Sequence, residues 1–317
     1  MSVVDPGIAP DISVVIPCRN EEANAIPIAE AVIAEMERAG ASFDLIFIDN
    51  ASEDRTVPLL RGLCERDPRV RLIVNARNFG QMRSPTHGIF VARGRAVINM
   101  CADFQDSPAL IGRFVERWRA GVDIVLGVRA SETSSPGLSF FRNLAYRLAA
   151  RFGDYPVIPN ATGFGLYDRK VVRAIERLKE PEPFFRGMLV ETGYDIELIP
   201  YARPPRAAGK SNNDFFALLD FALSGLAGSS KKLVRLPFHV GVVALLIGAL
   251  MLVATPVAWW FGRNGWGWLF ATMVQLQIGA GFVFLGLVGD QIRLISERTR
   301  NTPLVTERER VNFPDGY

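Results

Sequence analysis

Over its first two thirds the chain alternates short apolar runs with segments of helical spacing. Ile12–Pro17, Leu45–Asp49, Val70–Asn75, Ala96–Met100 and Ile124–Val128 are apolar almost throughout and rich in Val and Ile. A half-exposed strand would alternate polar and apolar residues. Unbroken runs instead predict strands covered on both faces by crossover helices, hence an α/β fold with a mostly parallel sheet. Ile196–Tyr201 reads as a later strand. Glu21–Gly40 has helical spacing, with Asn20 predicted as its N-cap and two acids in its first turn. Ser52 is predicted to cap the helix after the second strand.

The pattern changes near the C-terminus. No charged side chain occurs from Leu236 to Gly262, or from Asn264 to Gly289. Each run is long enough to cross about 30 Å of hydrocarbon as a helix. Arg263 stands alone between them, with Trp259, Trp260, Trp266 and Trp268 gathered around the turn. Lys231, Lys232 and Arg235 precede the first run, and Arg293, Arg298 and Arg300 follow the second. The positive-inside rule then puts both flanks in the cytosol, on a multi-pass protein of the inner (cytoplasmic) membrane. A buried hairpin of a soluble protein is the alternative, disfavoured by the length of both runs. Leu138–Phe152 and Asp214–Leu226 are amphipathic. Either fits an ordinary core-facing helix or the membrane interface; the nearby hairpin favours the interface for the second. Met1–Asp11 lacks the basic and apolar regions of a signal peptide.

Composition narrows the function. The formal net charge is +3 and the basic residues are dispersed, which gives no case for nucleic acid. Cys18, Cys64 and Cys101 are isolated, without metal-type spacing, and read as reduced thiols.

In parallel sheets ligands bind beyond the carboxyl ends of the strands. Here those ends carry Pro17–Glu21, Asp49–Ser52, Asp103–Asp106 and Arg129. They suggest one composite site, although Asn20 and Ser52 also read as caps and loop polars. Neither G-x-G-x-x-G nor a Walker A motif is present, so a diphosphate would have to be neutralised another way. Carboxylate-held Mg2+ or Mn2+ is one solution. Asp103 and Gln105 offer side-chain oxygens on alternate residues, which an extended segment would point to one side. Asp106 and Ser107-Pro108 read mainly as a helix start. His87 and His239 are far apart and suggest no catalytic pairing.

Pro17-Cys18-Arg19-Asn20-Glu21-Glu22, Ile48-Asp49-Asn50-Ala51-Ser52-Glu53-Asp54, Asn78-Phe79-Gly80 and Ala102-Asp103-Phe104-Gln105-Asp106 follow one another in order. In this the chain resembles family 2 glycosyltransferases of the GT-A fold. Gly127-Val128-Arg129, Arg186-Gly187 and Arg206-Ala207-Ala208-Gly209-Lys210-Ser211 make it similar to the dolichyl- and polyprenyl-phosphate sugar synthases, and the paired C-terminal spans to their bacterial members.

The resemblance implies that Pro17, Arg19, Glu21 and Asp49 or Asn50 line a nucleoside pocket, with Asp49 the better acceptor for a pyrimidine N–H. It implies that Asp103 and Gln105 hold Mg2+ or Mn2+, that Arg129 approaches sugar or phosphate, and that Arg206, helped by Lys210, clamps phosphate. Arg206 can also be an ordinary surface residue beside Pro204 and Pro205. The expected division is a cytosolic GT-A catalytic domain at 1–212, an amphipathic juxtamembrane segment at 213–234, two transmembrane helices at 235–290 and a cytosolic tail at 291–317. Departures occur where Cys101 replaces the first acid of the metal motif, where Asn212 replaces a lysine, and at Gln81-Met82.

The implied reaction joins a nucleotide-sugar donor, a UDP-sugar by preference, to a polyprenyl phosphate acceptor at the membrane, with inversion. A phosphate monoester, with a second pKa of about 6, is already a nucleophile, so little general-base help is needed. Two rivals remain: transfer to a saccharide or other lipid, and a catalytically silent membrane-bound assembly partner. The identity of the sugar and whether the chain forms a homo-oligomer stay open.

Overall fold

The computed structural model describes residues 9–130, 158, 160–180, 183–202, 236–261, 265–299 and 303–314. The chain divides into two compact units. One comprises Met1–Arg147, Tyr155–Phe221 and Thr302–Tyr317; the other comprises Leu148–Asp154 and Ala222–Asn301.

In the first unit the chain runs β1 (Ile12–Cys18), α1 (Ala25–Ala39), β2 (Phe43–Asp49), α2 (Thr56–Arg66), β3 (Val70–Asn75), α3 (Gly80–Val91) and β4 (Ala96–Asn99). A 3-10 turn at Pro108–Leu110 leads into α4 (Ile111–Arg119) and β5 (Ile124–Arg129). Then come β6 (Ala161–Asp168), α5 (Arg169–Glu176), α6 (Phe185–Glu191) and β7 (Ile196–Tyr201). After the second unit, β8 (Glu307–Val311) returns to this one. The sheet order is β7-β5-β6-β4-β1-β2-β3-β8. Strands β4, β1, β2 and β3 are mutually parallel, as are β5 and β7; β6 and β8 run against their neighbours.

Period-two alternation assigns the side chains to two cores. Val14, Ile16, Leu45, Phe47, Leu72 and Val74 face a core completed by Ile28 and Val32 of α1, Leu60 of α2 and Phe114 of α4. Val15, Ile46, Ile48, Ile73 and Val97 face another, completed by Ile89 of α3, Val172 of α5 and Leu189 of α6. Each of these side chains contributes about 1.5–3 kcal/mol on burial. That two-sided cover explains the unbroken apolar runs.

Two helix starts differ from the sequence reading. Helix α1 begins at Ala25, with no acid in its first turn, and Asn20 is not its cap. Asn20 is left-handed (φ 55°), and its side-chain oxygen accepts from the Glu53 backbone N–H at 2.8 Å. Helix α2 begins at Thr56, and Ser52 instead bonds back to Asp49. In both cases a hydrogen bond between loops or within one takes the side chain that a local cap would have used.

The second unit holds α7 (Leu236–Trp260) and α8 (Gly265–Thr299). Pro237–Val257 and Gly265–Gly289 have mean hydropathies of 2.5 and 1.7, and both are long and apolar enough to cross a membrane. Most of each window is exposed, including Leu246, Leu250, Val253, Phe270 and Phe284. That exposure is unlike the core helix of a soluble domain. The two helices pack so closely that a Cβ on Gly241 would lie 2.7 Å from the Gly279 carbonyl oxygen. Small residues permit this backbone approach between apolar helices. The amphipathic segments at 138–152 and 214–226 lie outside the described residues.

Candidate active site

The carboxyl ends of β1, β2, β3, β4, β5 and β7 fall on one edge of the sheet, since these strands share a direction. The chain passes from β1 outward through β2 to β3, then returns to place β4 on the other side of β1. Strand order therefore reverses between β1 and β4, the switch point where open sheets take ligands. A cavity of about 330 Å³ lined by Arg93, Gly94, Arg95, Trp118 and Arg173 lies at the opposite edge, where β4 begins, away from the polar strand ends.

The loops after β1 and β2 are bonded into one piece. Asn20 N–H donates to Ser52 Oγ at 2.9 Å, Glu21 N–H to Thr56 Oγ1 at 2.8 Å and Glu22 N–H to Asp54 Oδ2 at 3.1 Å. Arg55 N–H donates back to Glu22 Oε2 at 3.1 Å. Asp49, fully buried, accepts from Ser52 N–H at 3.0 Å and from the Ser52 hydroxyl. Burial pushes the Asp49 carboxyl pKa up, and the Ser52 bonds partly offset that. Burial and then the Asp49 charge push the Cys18 thiol up as well, so Cys18 is a packed thiol. Pro17 is the β1 partner of Ile48. Arg19 lies 3.9 Å from Glu53, and its buried Nε has no hydrogen-bond partner among the described residues. Glu21 is buried and accepts from Asn24 Nδ2 at 2.6 Å.

Asn50 turns toward the loop before α3. Its Nδ2 donates to Asn78 Oδ1 at 2.7 Å and to the Gly80 carbonyl at 3.2 Å. Its Oδ1 accepts from Phe79 N–H at 2.8 Å and Asn75 Nδ2 at 3.3 Å. Two donors and two acceptor positions exhaust a primary amide. The Asp49-Asn50 and Asn78-Phe79-Gly80 motifs thus form one structural unit.

The segment after β4 is a turn and not an extended strand end, with Phe104 left-handed at φ 61°. Asp103 and Gln105 are brought together by that turn: Gln105 N–H donates to Asp103 Oδ1 at 3.1 Å. Asp106 is buried and holds the turn, accepting from Cys101 N–H at 3.0 Å and from the Tyr201 hydroxyl at 2.9 Å. Burial raises the Asp106 pKa, against the lowering effect of those bonds. Arg129 ends β5 opposite Tyr201 of β7, and its backbone N–H donates to the Asn160 carbonyl at 3.2 Å. Arg206, Lys210 and Asn212 lie outside the described residues, although the chain leaves β7 toward them at this same edge.

Among the described residues no group of three or more His, Cys, Asp or Glu side chains could hold a metal. With Asp106 spent on the turn, Asp103 and Gln105 supply one carboxylate and one amide oxygen, beside the exposed thiol of Cys101. That donor set fits a hard cation that takes most of its ligands from phosphate and water. Sequence reasoning missed the Tyr201 anchor and the Asn50 clamp. It also missed Asn99, whose Nδ2 donates to the Gly163 carbonyl at 3.0 Å and whose buried Oδ1 has no partner among the described residues.

A sheet of this order presents a polar switch point of the kind where open α/β sheets bind ligands. Residues 13–176 match glycosyl transferase family 2. The chain belongs to that family and is a glycosyltransferase. It is 30% identical over 298 residues to an uncharacterized glycosyltransferase of Bacillus subtilis, covering 92% of this chain and 91% of that one. It is also 30% identical to the bactoprenol glucosyl transferase of Shigella phage SfX, covering 92% and 97%. Among solved structures it is distantly similar to a mannosyltransferase from Pyrobaculum calidifontis, at 18% identity, 90% and 88% coverage and a TM-score of 0.42.

Proposed function

We propose that this chain transfers a sugar, with inversion, from a nucleotide sugar to a polyprenyl phosphate at the cytoplasmic face of the inner membrane. The observation that carries the reading is one of chain order. The sheet bearing the strand-end site is interrupted by two apolar helices of membrane length and then completed by β8. A chain that leaves this sheet and rejoins it crosses a bilayer an even number of times. An even number of crossings supports a site and anchor flanks on one side, and the basic flanks favour the cytosol as that side. The bactoprenol glucosyl transferases that the chain resembles support a polyprenyl phosphate acceptor.

The chemistry needs little from a base. A phosphate oxygen of the acceptor attacks the anomeric carbon, the bond to the diphosphate breaks, and the nucleoside diphosphate leaves with the electron pair. The acceptor is already ionised, so no proton must be removed. Positioning and charge compensation are the tasks. Pro17, Arg19 and Glu21 take the nucleoside, within loops held by Asp49 and Asn50. A pyrimidine base, and so a UDP-sugar, is the favoured donor. Asp103 and Gln105 hold Mg2+ or Mn2+, which supplies positive charge to the diphosphate. Arg129 approaches the sugar or phosphate, and Arg206 with Lys210 compensates the two anionic groups.

Purified full-length protein, a panel of nucleotide sugars and undecaprenyl phosphate test this. Formation of a lipid-linked monosaccharide phosphate is expected. Transfer only to a saccharide or a lipid without phosphate, or no transfer at all, refutes the reading.

A further inference from the structure

Strand β8 has the sequence ERERV, yet its two glutamates are both taken up by partners. Arg61 of α2 grips Glu309 through two bonds, at 3.2 and 2.5 Å. Glu307 lies 2.5 Å from His87 Nε2 of α3, and its Oε1 also accepts from Arg310 Nη2 at 2.8 Å. Asn312 then donates to three carbonyls around the α2–β3 turn, of Cys64, Asp67 and Val70, at 3.2, 3.3 and 2.7 Å. Charges on an edge strand ordinarily stay in solvent and deter pairing. Glu307 is drawn partly out of solvent: its side chain is 18% exposed and pairs with His87 of α3.

The contact falls where β3 gives way to the loop before α3. Asn75 is the register partner of Glu307, the ladder shifts there, and Ala76 N–H donates to the Thr306 carbonyl at 2.9 Å. On the other side of β3, Asn75 Nδ2 donates to Asn50 Oδ1 and to Ser84 Oγ at 2.9 Å. A few residues later Asn50 holds Asn78, Phe79 and Gly80. The segment 75–80 is thus gripped from β2 by Asn50 and from β8 by the Thr306–Glu307 corner. Arg83, one turn into α3, adds a bond to the Pro303 carbonyl at 3.0 Å.

We propose that Glu307 is a positioning residue for nucleotide-sugar binding. Acting through His87 and the Thr306 carbonyl, it fixes the 75–80 segment at the rim of the strand-end site, from a strand that follows both apolar helices. This rests on the donor reading given above. Glu307 touches no substrate and acts only through its neighbours.

The test uses full-length protein in detergent, with Glu307→Gln, His87→Gln and the double variant. In each, amide hydrogen exchange from Ala76 to Gly80 should quicken about tenfold, the usual scale for losing one charged hydrogen bond. Exchange in β1 and β2 should stay as in the unaltered protein. The KM for the nucleotide sugar should rise about five- to tenfold with kcat little changed. The double variant should be no worse than Glu307→Gln alone, because the Glu307–His87 pair is lost in both. Unchanged KM, or additive effects, overturns the proposal. Should Glu307→Gln fail to fold, His87→Gln breaks the same pair from α3 and decides alone. If the unaltered protein uses no nucleotide sugar, the donor reading fails, and unchanged exchange in Glu307→Gln would separately remove the grip.

Discussion

Tyr201 donates its hydroxyl hydrogen to Asp106 across 2.9 Å, joining the end of β7 to the turn that carries Asp103. The two residues are 95 positions apart in sequence. Tyr201→Phe leaves a buried Asp106 oxygen without that donor, a loss of about 1–3 kcal/mol. The expected outcome is a lower unfolding temperature and a weaker response of activity to Mn2+. Thermal unfolding and metal titration of the purified variant check it. A variant with unaltered metal response shows that the bond only stabilises the fold.

Asp103→Ala should abolish turnover while the protein stays folded and membrane-bound. Asp103 is half-buried in the turn beyond β4, and the proposed function assigns it to the metal. Turnover in saturating Mn2+ is the measurement. A rate near that of the unaltered protein removes the metal assignment.

Glu307 makes the attachment of β8 depend on acidity. Burial raises its pKa, but hydrogen bonds from Arg310 and His87 outweigh that and hold it at about 2, below its ordinary 4.5. A depressed carboxyl contributes stability above its unfolded pKa and loses it as pH falls through the folded one. The contribution should be complete above about pH 4.5 and fade as pH falls toward 2. Unfolding free energy of Glu307→Gln against the unaltered protein should converge over that window. A gap that persists at pH 2 contradicts the assignment.

Topology is directly measurable. A cysteine at position 264 should label from outside the cell, and one at position 317 should not. The reporter needs a background without Cys101, which is exposed, whereas Cys18 and Cys64 are buried. The reverse labelling pattern refutes the cytosolic placement of the site.

The sequence made most of the sheet readable because β1 to β5 are unbroken apolar runs, and only two-sided cover explains such runs. Strand β6 escaped notice because the two glycines in its ATGFG start weaken the strand pattern. Strand β8 was missed because ERERV, as an edge, carries its charges in plain view and reads as a solvated tail. That Arg19, Asp49, Asp103 and Arg129 gather at or just beyond strand ends of one sheet edge was legible residue by residue. What held them together was not. Asn50 with Asn78, and Asp106 with Tyr201, are pairs whose meaning appears only once distant segments meet. Asn20 and Ser52 misled for a related reason: local patterns suggested caps, and loop contacts claimed their side chains.

The late position of β8 also orders events during synthesis. The ribosome makes α7 and α8 before the strand that covers the edge of β3. The sheet is completed only after both apolar helices have been made. Until then β3 is an open edge, the kind that invites wrong pairing between chains. A nascent molecule that misses the membrane carries two exposed apolar helices and an unfinished sheet together, so the defects that mark it for removal arise as a pair.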